Sequence, residues 1–451
     1  MVRAVAAGAT RYSAKEILLH TSNEEVFFVD YDADPGKTIL YAPLRSYMGL
    51  MSKTNMVAFL TDEGSDVRSH ILKTLVSRPL IDVNRILNDL RHLTPELAIP
   101  ITDNCNLRCP YCHSSAGEEH KTQTMTKAII DAVLNSYFDQ VSDNTEKVKI
   151  TFIGGGEPTY KFDKLNYAIR KARDIASQRN IKCIFTMATN GCYSQKVREF
   201  IVGHFSEVSL SFDGPAHIQN LHRPFKSGKT SFKYVFETAR YFYQMQFPFA
   251  LRATVSEYSL AYLPEIVDFF KQHFPGVHVG LEPLIPVGRG LNNTQLRPPA
   301  AKAFGDMLIK VFEYADKESV DIVNSASSEY DIVRPVFCSA VGVPNWTIQM
   351  NGDIVCCSRD GAPDEFTFGH LDFVHGKVAI DKAKLDNITR MNVLNYDECK
   401  DCFAKYHCAG DCPDRRASNK SDCDSIRKIG KHILNKKMNK PGNTRTAQSC
   451  N

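Results

Sequence analysis

The sequence predicts an α/β fold built on a parallel sheet, and three observations carry that prediction. From residue 97 onward six apolar, strand-like runs recur, and segments of helical spacing separate them. The strands therefore alternate with helices in the manner of right-handed β–α–β crossovers. Each of the first four runs is followed directly by a cysteine-rich, glycine-rich or polar motif, which places four motifs at the carboxyl ends of successive strands. In parallel α/β folds that face is where sites are assembled. A doubly wound sheet and a partial barrel both produce this pattern.

In chain order, the strand runs are Leu97 to Thr102, Val148 to Ile153, Cys183 to Ala188, Val208 to Phe212, Ala250 to Val255 and Val277 to Leu281. Helical spacing marks Lys127 to Phe138, Leu165 to Ile175, Phe232 to Tyr243 and Leu263 to Phe270. The motifs after strands one to four are Cys105 to Cys112, Gly154-Gly155-Gly156-Glu157-Pro158, Thr189-Asn190-Gly191 and Asp213-Gly214-Pro215. Ahead of this region, Val26 to Asp30 and Thr38 to Leu44 read as strands, and Val67 to Leu75 and Ile81 to His92 as helices. The expected organisation is a small α+β module over 1–95, a barrel over 96–300, a helical linker over 301–334, a cysteine-rich domain over 335–425 and a basic tail over 426–451. In that tail Ile426, Ile429 and Ile433 fall at helical spacing among lysines, the pattern of a solvated amphipathic helix with a frayed end.

The chain has 451 residues, enough for two or three domains with cores of their own. A net charge of +4, evenly spread, argues against a nucleic-acid partner, and no apolar run approaches the length of a membrane span. The first residues lack the flanks of a signal peptide. Fourteen cysteines, clustered in a large chain of this kind, point to metal in a reducing cytoplasm rather than to disulfides.

The sharpest signal is Cys105-Asn106-Leu107-Arg108-Cys109-Pro110-Tyr111-Cys112. Three thiolates at this spacing hold three irons of a cubic four-iron cluster and leave the fourth to an outside ligand. Zinc is the competing reading, but it asks for a fourth protein ligand in a closed site, and His113 is too close to Cys112 to reach back. A second set follows: Cys338, Cys357 after Gly352, then Cys399, Cys402, Cys408, Cys412 and Cys423. On these residues the chain resembles the radical S-adenosylmethionine (SAM) enzymes, and its C-terminal cysteines resemble the SPASM subgroup, over roughly residues 95 to 425. The resemblance implies a six-stranded partial barrel, SAM as cofactor and three [4Fe-4S] clusters.

The resemblance also implies a SAM pocket. Gly155, Gly156 and Glu157 match the family's GGEP motif, whose backbone and glutamate receive the methionine ammonium. Ser211 and Arg223 match residues at the carboxylate and ribose side, Tyr111 the aromatic beside the adenine, Asn190 a pocket residue and Leu284 an adenine contact. His113, His217 and His222 read as supporting rather than catalytic, and no catalytic side chain is assigned. Cys399, Cys402, Cys408 and Cys423 would close one auxiliary cluster, and Cys338, Cys357 and Cys412 would contribute to the other. That second site lacks an obvious fourth cysteine; Cys356, vicinal to Cys357, is an awkward one, so an open iron for a substrate thiol is the alternative. Cys183 reads as a small core residue, and Cys192 and Cys450 carry no assigned role.

The implied chemistry is reductive cleavage of SAM to a 5′-deoxyadenosyl radical, hydrogen abstraction from a substrate, and uptake of the released electron by the auxiliary clusters. The expected function is a maturase that installs a thioether or carbon–carbon crosslink in a ribosomally made peptide. A flavodoxin- or ferredoxin-type donor would supply low-potential electrons, and residues 1–95 would bind a leader peptide. The alternative is an anaerobic sulfatase maturase forming formylglycine from Ser or Cys. Its pattern puts an Asp directly after the cysteine equivalent to Cys357, where this chain has Ser358 and, two positions on, Asp360. A plain electron-transfer protein would leave Gly155 to Pro158 and Arg223 unexplained.

Overall fold

The computed structural model describes residues 19–21, 24–118, 122–327, 330–357, 359, 364–417 and 422–439. The chain divides into two compact units. One comprises Met1–Arg91, Ala326–Phe337 and Met391–Asn451; the other comprises His92–Ser325 and Cys338–Arg390. This division differs from the sequence expectation. Residues 391–417, expected to share a domain with 338–390, fold with the N-terminal module instead, and so does the helix of the expected tail.

In the first unit, β1 (Leu19–Thr21), β2 (Glu24–Asp30), β3 (Lys37–Ala42) and β4 (Tyr47–Ser52) form an antiparallel sheet in chain order. Helices Lys53–Thr61, Asp66–Val76 and Val83–Arg91 follow, the first two with serine caps at Ser52 and Ser65. One sheet face buries Val26, Phe28 and Leu40 against Phe59, Ile71 and Leu75. The other buries Phe27, Val29, Ile39 and Tyr41 against Tyr330, Phe403, Leu434 and Met438. Leu434 and Met438 belong to the helix Cys423–Asn439, whose Ile426 and Ile429 are buried as well. This corrects the expected solvated tail: the apolar stripe of that helix is core. Residues 440–451 of the tail lie outside the described residues.

The second unit carries one sheet of eleven strands. Its parallel part is β5 (Leu97–Ala98), β6 (Lys147–Phe152), β7 (Lys182–Thr189), β8 (Glu207–Ser211), β9 (Phe249–Val255), β10 (Val279–Pro283) and β11 (Ile322–Val323). Spatial order follows chain order throughout this part, without the reversal that defines a doubly wound sheet. Successive right-handed crossovers then put the helices on one face only and leave the other concave, which settles the choice in favour of a partial barrel. Beyond β5 the sheet continues through β12 (Trp346–Ile348), parallel to it, and the antiparallel strands β13 (Asp353–Val355), β14 (Thr367–Asp372) and β15 (Lys377–Ile380).

Helices Lys127–Gln140, Phe162–Gln178, Gln195–His204, Phe232–Gln244 and Leu263–His273 cover the convex face. Leu210, Phe212 and Leu251 are buried on that side, where Phe212 meets Phe270 edge to face at 5.6 Å. The linker expected to be helical is a helix over Ala301–Lys317 and then the added strand β11. Among the described residues no helix is long and apolar enough to cross a membrane.

Candidate active site

The loop bearing Cys105, Cys109 and Cys112 leaves the carboxyl end of β5, and four other segments hold it by their backbones. Asp103 N–H donates to Gln123 O at 2.9 Å. The glycine loop after β6 lies directly on it, with Gly156 N–H on Thr102 O at 2.6 Å and Glu157 N–H on Asn104 O at 2.9 Å. A side chain is impossible at that crossing, since a Cβ on Gly156 would sit 1.8 Å from Asn104 O. The close approach for which this glycine is needed is thus to the cysteine loop. The segment after Arg223 pairs with it through Arg108 N–H on Pro224 O at 2.8 Å and Lys226 N–H on Asn106 O at 2.9 Å.

The fourth clamp was not legible in the sequence. Arg289, in the turn after β10, donates from Nε to Glu118 Oε1 at 2.9 Å, from Nη1 to Cys109 O at 2.8 Å and from Nη2 to Ala116 O at 2.6 Å. Its backbone N–H reaches Cys112 O at 3.0 Å. The only sequence signal was a basic residue between Gly288 and Gly290 after the sixth strand.

Cys112 lies close enough to Cys105 and Cys109 to oppose their ionisation. Burial pushes the Cys105 thiol up to about 12, with the Glu157 carboxylate and Cys112 adding to it. Cys109 is raised further, by burial first, while the Arg223 charge works the other way. Thiolates at such positions need cationic partners and N–H donors, and the donors are in place. Leu107 N–H and Asn190 Nδ2 approach Cys105 Sγ at 3.4 and 3.6 Å, and Ala116 N–H approaches Cys112 Sγ at 3.5 Å. Among the described residues no three His, Cys, Asp or Glu side chains converge on a single-ion site. The fit to an iron–sulfur cluster rests on the shared loop and on the N–H groups aimed at sulfur.

The other expected site residues sit around this loop. Asn190 is buried, and its amide also donates to Asn106 Oδ1 at 2.8 Å. Glu157 is buried and its oxygens accept from Thr159 N–H, Thr159 Oγ1, Thr189 Oγ1 and Asn190 N–H, between 2.7 and 3.2 Å. Burial raises its carboxyl, and those four donors work against the rise. Ser211 ends β8, half-buried, and Leu284 is buried just past β10 with its N–H on Val255 O.

Arg223 is forked onto Asp213, Nε to Oδ2 at 2.8 Å and Nη2 to Oδ1 at 3.1 Å. Tyr111, between the last two cysteines of the loop, donates its hydroxyl to the same carboxylate at 2.9 Å, and Thr254 N–H donates at 2.8 Å. His222 bridges Asp213 and Ser256. Burial alone would raise the Asp213 carboxyl, but the Arg223 and His222 partners overturn this and hold it well below the usual carboxylate range. Tyr111 is thereby anchored to the strand ends through a buried ion pair, with the Arg223 guanidinium 5.5 Å from its ring centre.

In the first unit Cys399, Cys402, Cys408 and Cys423 come together. Ionisation of Cys408 is opposed first by burial, then by Asp411 and by the other three thiols of that set. Arg416 Nη2 reaches Cys399 Sγ at 3.2 Å. Between Cys408 and Cys412 the residues Ala409, Gly410 and Asp411 all have positive φ, a tight loop two of whose residues are strained. In the second unit Cys356 is buried, and its thiol is pushed up by burial first and then by Cys357 and Cys338. Cys338, Cys356 and Cys357 therefore gather in that unit, whereas Cys412 belongs to the first unit. Ser358, Asp360 and Cys450 lie outside the described residues.

The radical SAM superfamily signature matches residues 99–270. A cysteine-type anaerobic sulfatase-maturating enzyme of Clostridium perfringens is 22% identical over 330 residues, covering 69% of this chain and 87% of that protein. A serine-type anaerobic sulfatase-maturating enzyme of Bacteroides thetaiotaomicron is 22% identical over 356 residues, covering 72% and 83%. The fold matches the solved structure of native anSMEcpe with bound AdoMet and Cp18Cys peptide, with a TM-score of 0.56, 18% identity and coverage of 75% and 95%. The family uses a [4Fe-4S] cluster and SAM. The chain thus carries a radical SAM domain over residues 99–270, is similar to the anaerobic sulfatase maturases over most of their length, and has a cysteine-rich region after that domain.

Proposed function

We propose that this protein is a radical SAM maturase that oxidises a ribosomally made peptide and installs a thioether or carbon–carbon crosslink. The observation that carries the reading is the N-terminal module. Residues 19–91 fold as a four-stranded sheet with three helices, outside the radical SAM domain and in one compact unit with Cys399, Cys402, Cys408 and Cys423. Its outer strands β1 and β4 present the kind of edge on which an extended leader peptide adds as a further strand.

When bound, the cluster and SAM supply a 5′-deoxyadenosyl radical by reductive cleavage of SAM. Cys105, Cys109 and Cys112 hold that cluster, and Arg289 and Asn190 fix the loop and its sulfur environment. Glu157 acts through the glycine loop by tying Thr159, Thr189 and Asn190 together. Tyr111, Ser211 and Leu284 line the SAM side, and Arg223 orients Tyr111 through Asp213. Cys399, Cys402, Cys408 and Cys423 hold one electron-accepting cluster, and Cys338 and Cys357, with Cys356 beside them, contribute to a second.

The similarity to sulfatase maturases favours one second reading, formation of formylglycine from Ser or Cys. Incubating the reduced enzyme with short peptides encoded beside its gene, then adding a hydrazide, separates the two. The crosslink reading expects an oxidised peptide with no hydrazide-reactive aldehyde. An aldehyde at a Ser or Cys would transfer the assignment to formylglycine.

A further inference from the structure

The cysteine loop meets the surface where the segment after Arg223 pairs with it, and that surface is basic. Leu107 bridges Phe225 in antiparallel register, flanked by the bonds of Arg108 N–H to Pro224 O and of Lys226 N–H to Asn106 O. A tight turn follows, with Gly228 N–H on Phe225 O at 2.8 Å and Phe225 N–H on Lys229 O at 2.9 Å. Lys226, Lys229 and Lys233 are exposed, and Arg108 is half-buried. Beside them the exposed Tyr234 meets Phe225 edge to face, ring centres 5.2 Å apart.

Neither segment supplies a carboxylate to balance these cations. From Asn104 to Gly117, and again from Gly214 to Phe236, the chain has no Asp or Glu. Glu118, Asp213 and Glu237, which border these stretches, are engaged by Arg289, Arg223 and Arg198 at 2.9, 2.8 and 3.3 Å. Arg108 Nη1 and Lys226 Nζ share one neutral acceptor instead, Gly117 O, at 3.1 and 3.4 Å. Two cations gathered on one carbonyl repel each other, and an anionic surface brought against them relieves that repulsion. Among the described residues none of the four cations stands in an ion pair.

We propose that Arg108, Lys226, Lys229 and Lys233, with Tyr234 at their edge, form the docking face for a small acidic protein that carries one electron at low potential. The place favours a redox protein over any other polyanion: Cys105 and Cys109 bracket residues 106–108, so the face is built on the loop that would hold the cluster. One electron leaves the donor's reduced flavin or iron–sulfur centre and enters the oxidised cluster, and no proton or bond is exchanged. Attraction between the basic face and an acidic one speeds encounter and weakens as salt rises. The proposal rests on the assignment of the SAM-binding cluster to Cys105, Cys109 and Cys112, and not on which bond the enzyme makes.

Stopped-flow reduction of the anaerobically reconstituted full-length holoenzyme tests it, with reduced flavodoxin, reduced ferredoxin and dithionite as probes. Wild type is compared with Lys226→Glu/Lys229→Glu/Lys233→Glu, and the cluster of the cysteine loop is followed by the change in its EPR signal on adding SAM. The triple variant should be reduced by the protein donors more slowly on the order of ten- to a hundred-fold at low salt, with the gap closing as salt rises. Dithionite, which needs no docking face, should reduce both proteins at closely similar rates. Carbodiimide crosslinking of wild type to either donor needs no variant, and its crosslinks should fall on Lys226, Lys229 or Lys233. Equal rates with both donors at low salt, or crosslinks confined to lysines elsewhere, would overturn the docking face. So would a single-stranded oligonucleotide that binds through these lysines while neither donor does. Dithionite-reduced wild type with no SAM-dependent EPR change is a separate result: it would take the cluster from this loop, and the docking face with it.

Discussion

Replacing Cys105, Cys109 and Cys112 together with alanine should abolish SAM cleavage while the chain keeps its auxiliary iron. On the reading of three four-iron clusters, reconstituted wild type carries about twelve irons per chain and the triple variant about eight. The physical basis is that the donors fall into separate groups: one loop at the end of β5, and a second gathering of Cys399, Cys402, Cys408 and Cys423 in the other compact unit. Iron analysis and chromatographic detection of 5′-deoxyadenosine check both halves. Cleavage that persisted in the triple variant would remove the SAM-binding cluster from this loop, and zinc in place of iron would remove the clusters altogether.

Asp213→Asn should be the most damaging single change in the barrel. It leaves the Arg223 guanidinium buried without its counter-charge, since the Arg223 side chain is only 11% exposed and the carboxylate fully buried. Breaking one side of a buried pair typically costs about 3–5 kcal/mol. The pH dependence follows from the direction of the shift. The folded-state carboxyl is held below its unfolded value, so its contribution is complete above the unfolded value and is lost as pH falls through the folded one. The thermal midpoint of the variant should therefore lie well below wild type at neutral pH, with the gap narrowing only in strong acid. A neutral-pH loss under about 1 kcal/mol would mean that the pair is solvated rather than buried. The change should also slow SAM cleavage, because Tyr111 loses the acceptor that fixes it beside Cys112.

Long periodic segments were legible in the sequence, and so was the chemistry of the cysteine loop. The five later barrel strands and the four helices marked by their spacing lie where apolar periodicity put them, because each buries one face over several turns or pleats; the helix Gln195–His204 was not marked. The first strand is shorter than its apolar run. Ile99 and Ile101 are fully buried, but the chain turns away at Thr102 to bond Gln123 and Thr124 and begin the cysteine loop. Short elements left no signal: β12 and β13 are three residues each, and β4 is interrupted by Gly49. The C-terminal helix was misread because lysines flank its buried stripe, and only the N-terminal sheet reveals what covers it.

At the site, residue types pointed to charges but not to partners. Arg223 and Glu157 were visible as charged groups at strand ends; that Asp213 fills the one and four local donors fill the other depends on three-dimensional proximity. Arg289 was hidden for a related reason. Two of its side-chain acceptors are main-chain carbonyls more than 170 residues away, and carbonyls carry no sequence signature.

The most direct measurement is 5′-deoxyadenosine formation from SAM by the reconstituted wild-type protein under strictly reducing, oxygen-free conditions. It should form with the wild type, not with the triple cysteine variant, and faster when an acceptor peptide is present. A protein carrying its full iron that reduces and reoxidises its clusters yet produces no 5′-deoxyadenosine, with or without peptide, would contradict the radical SAM reading and mark the chain as an electron carrier.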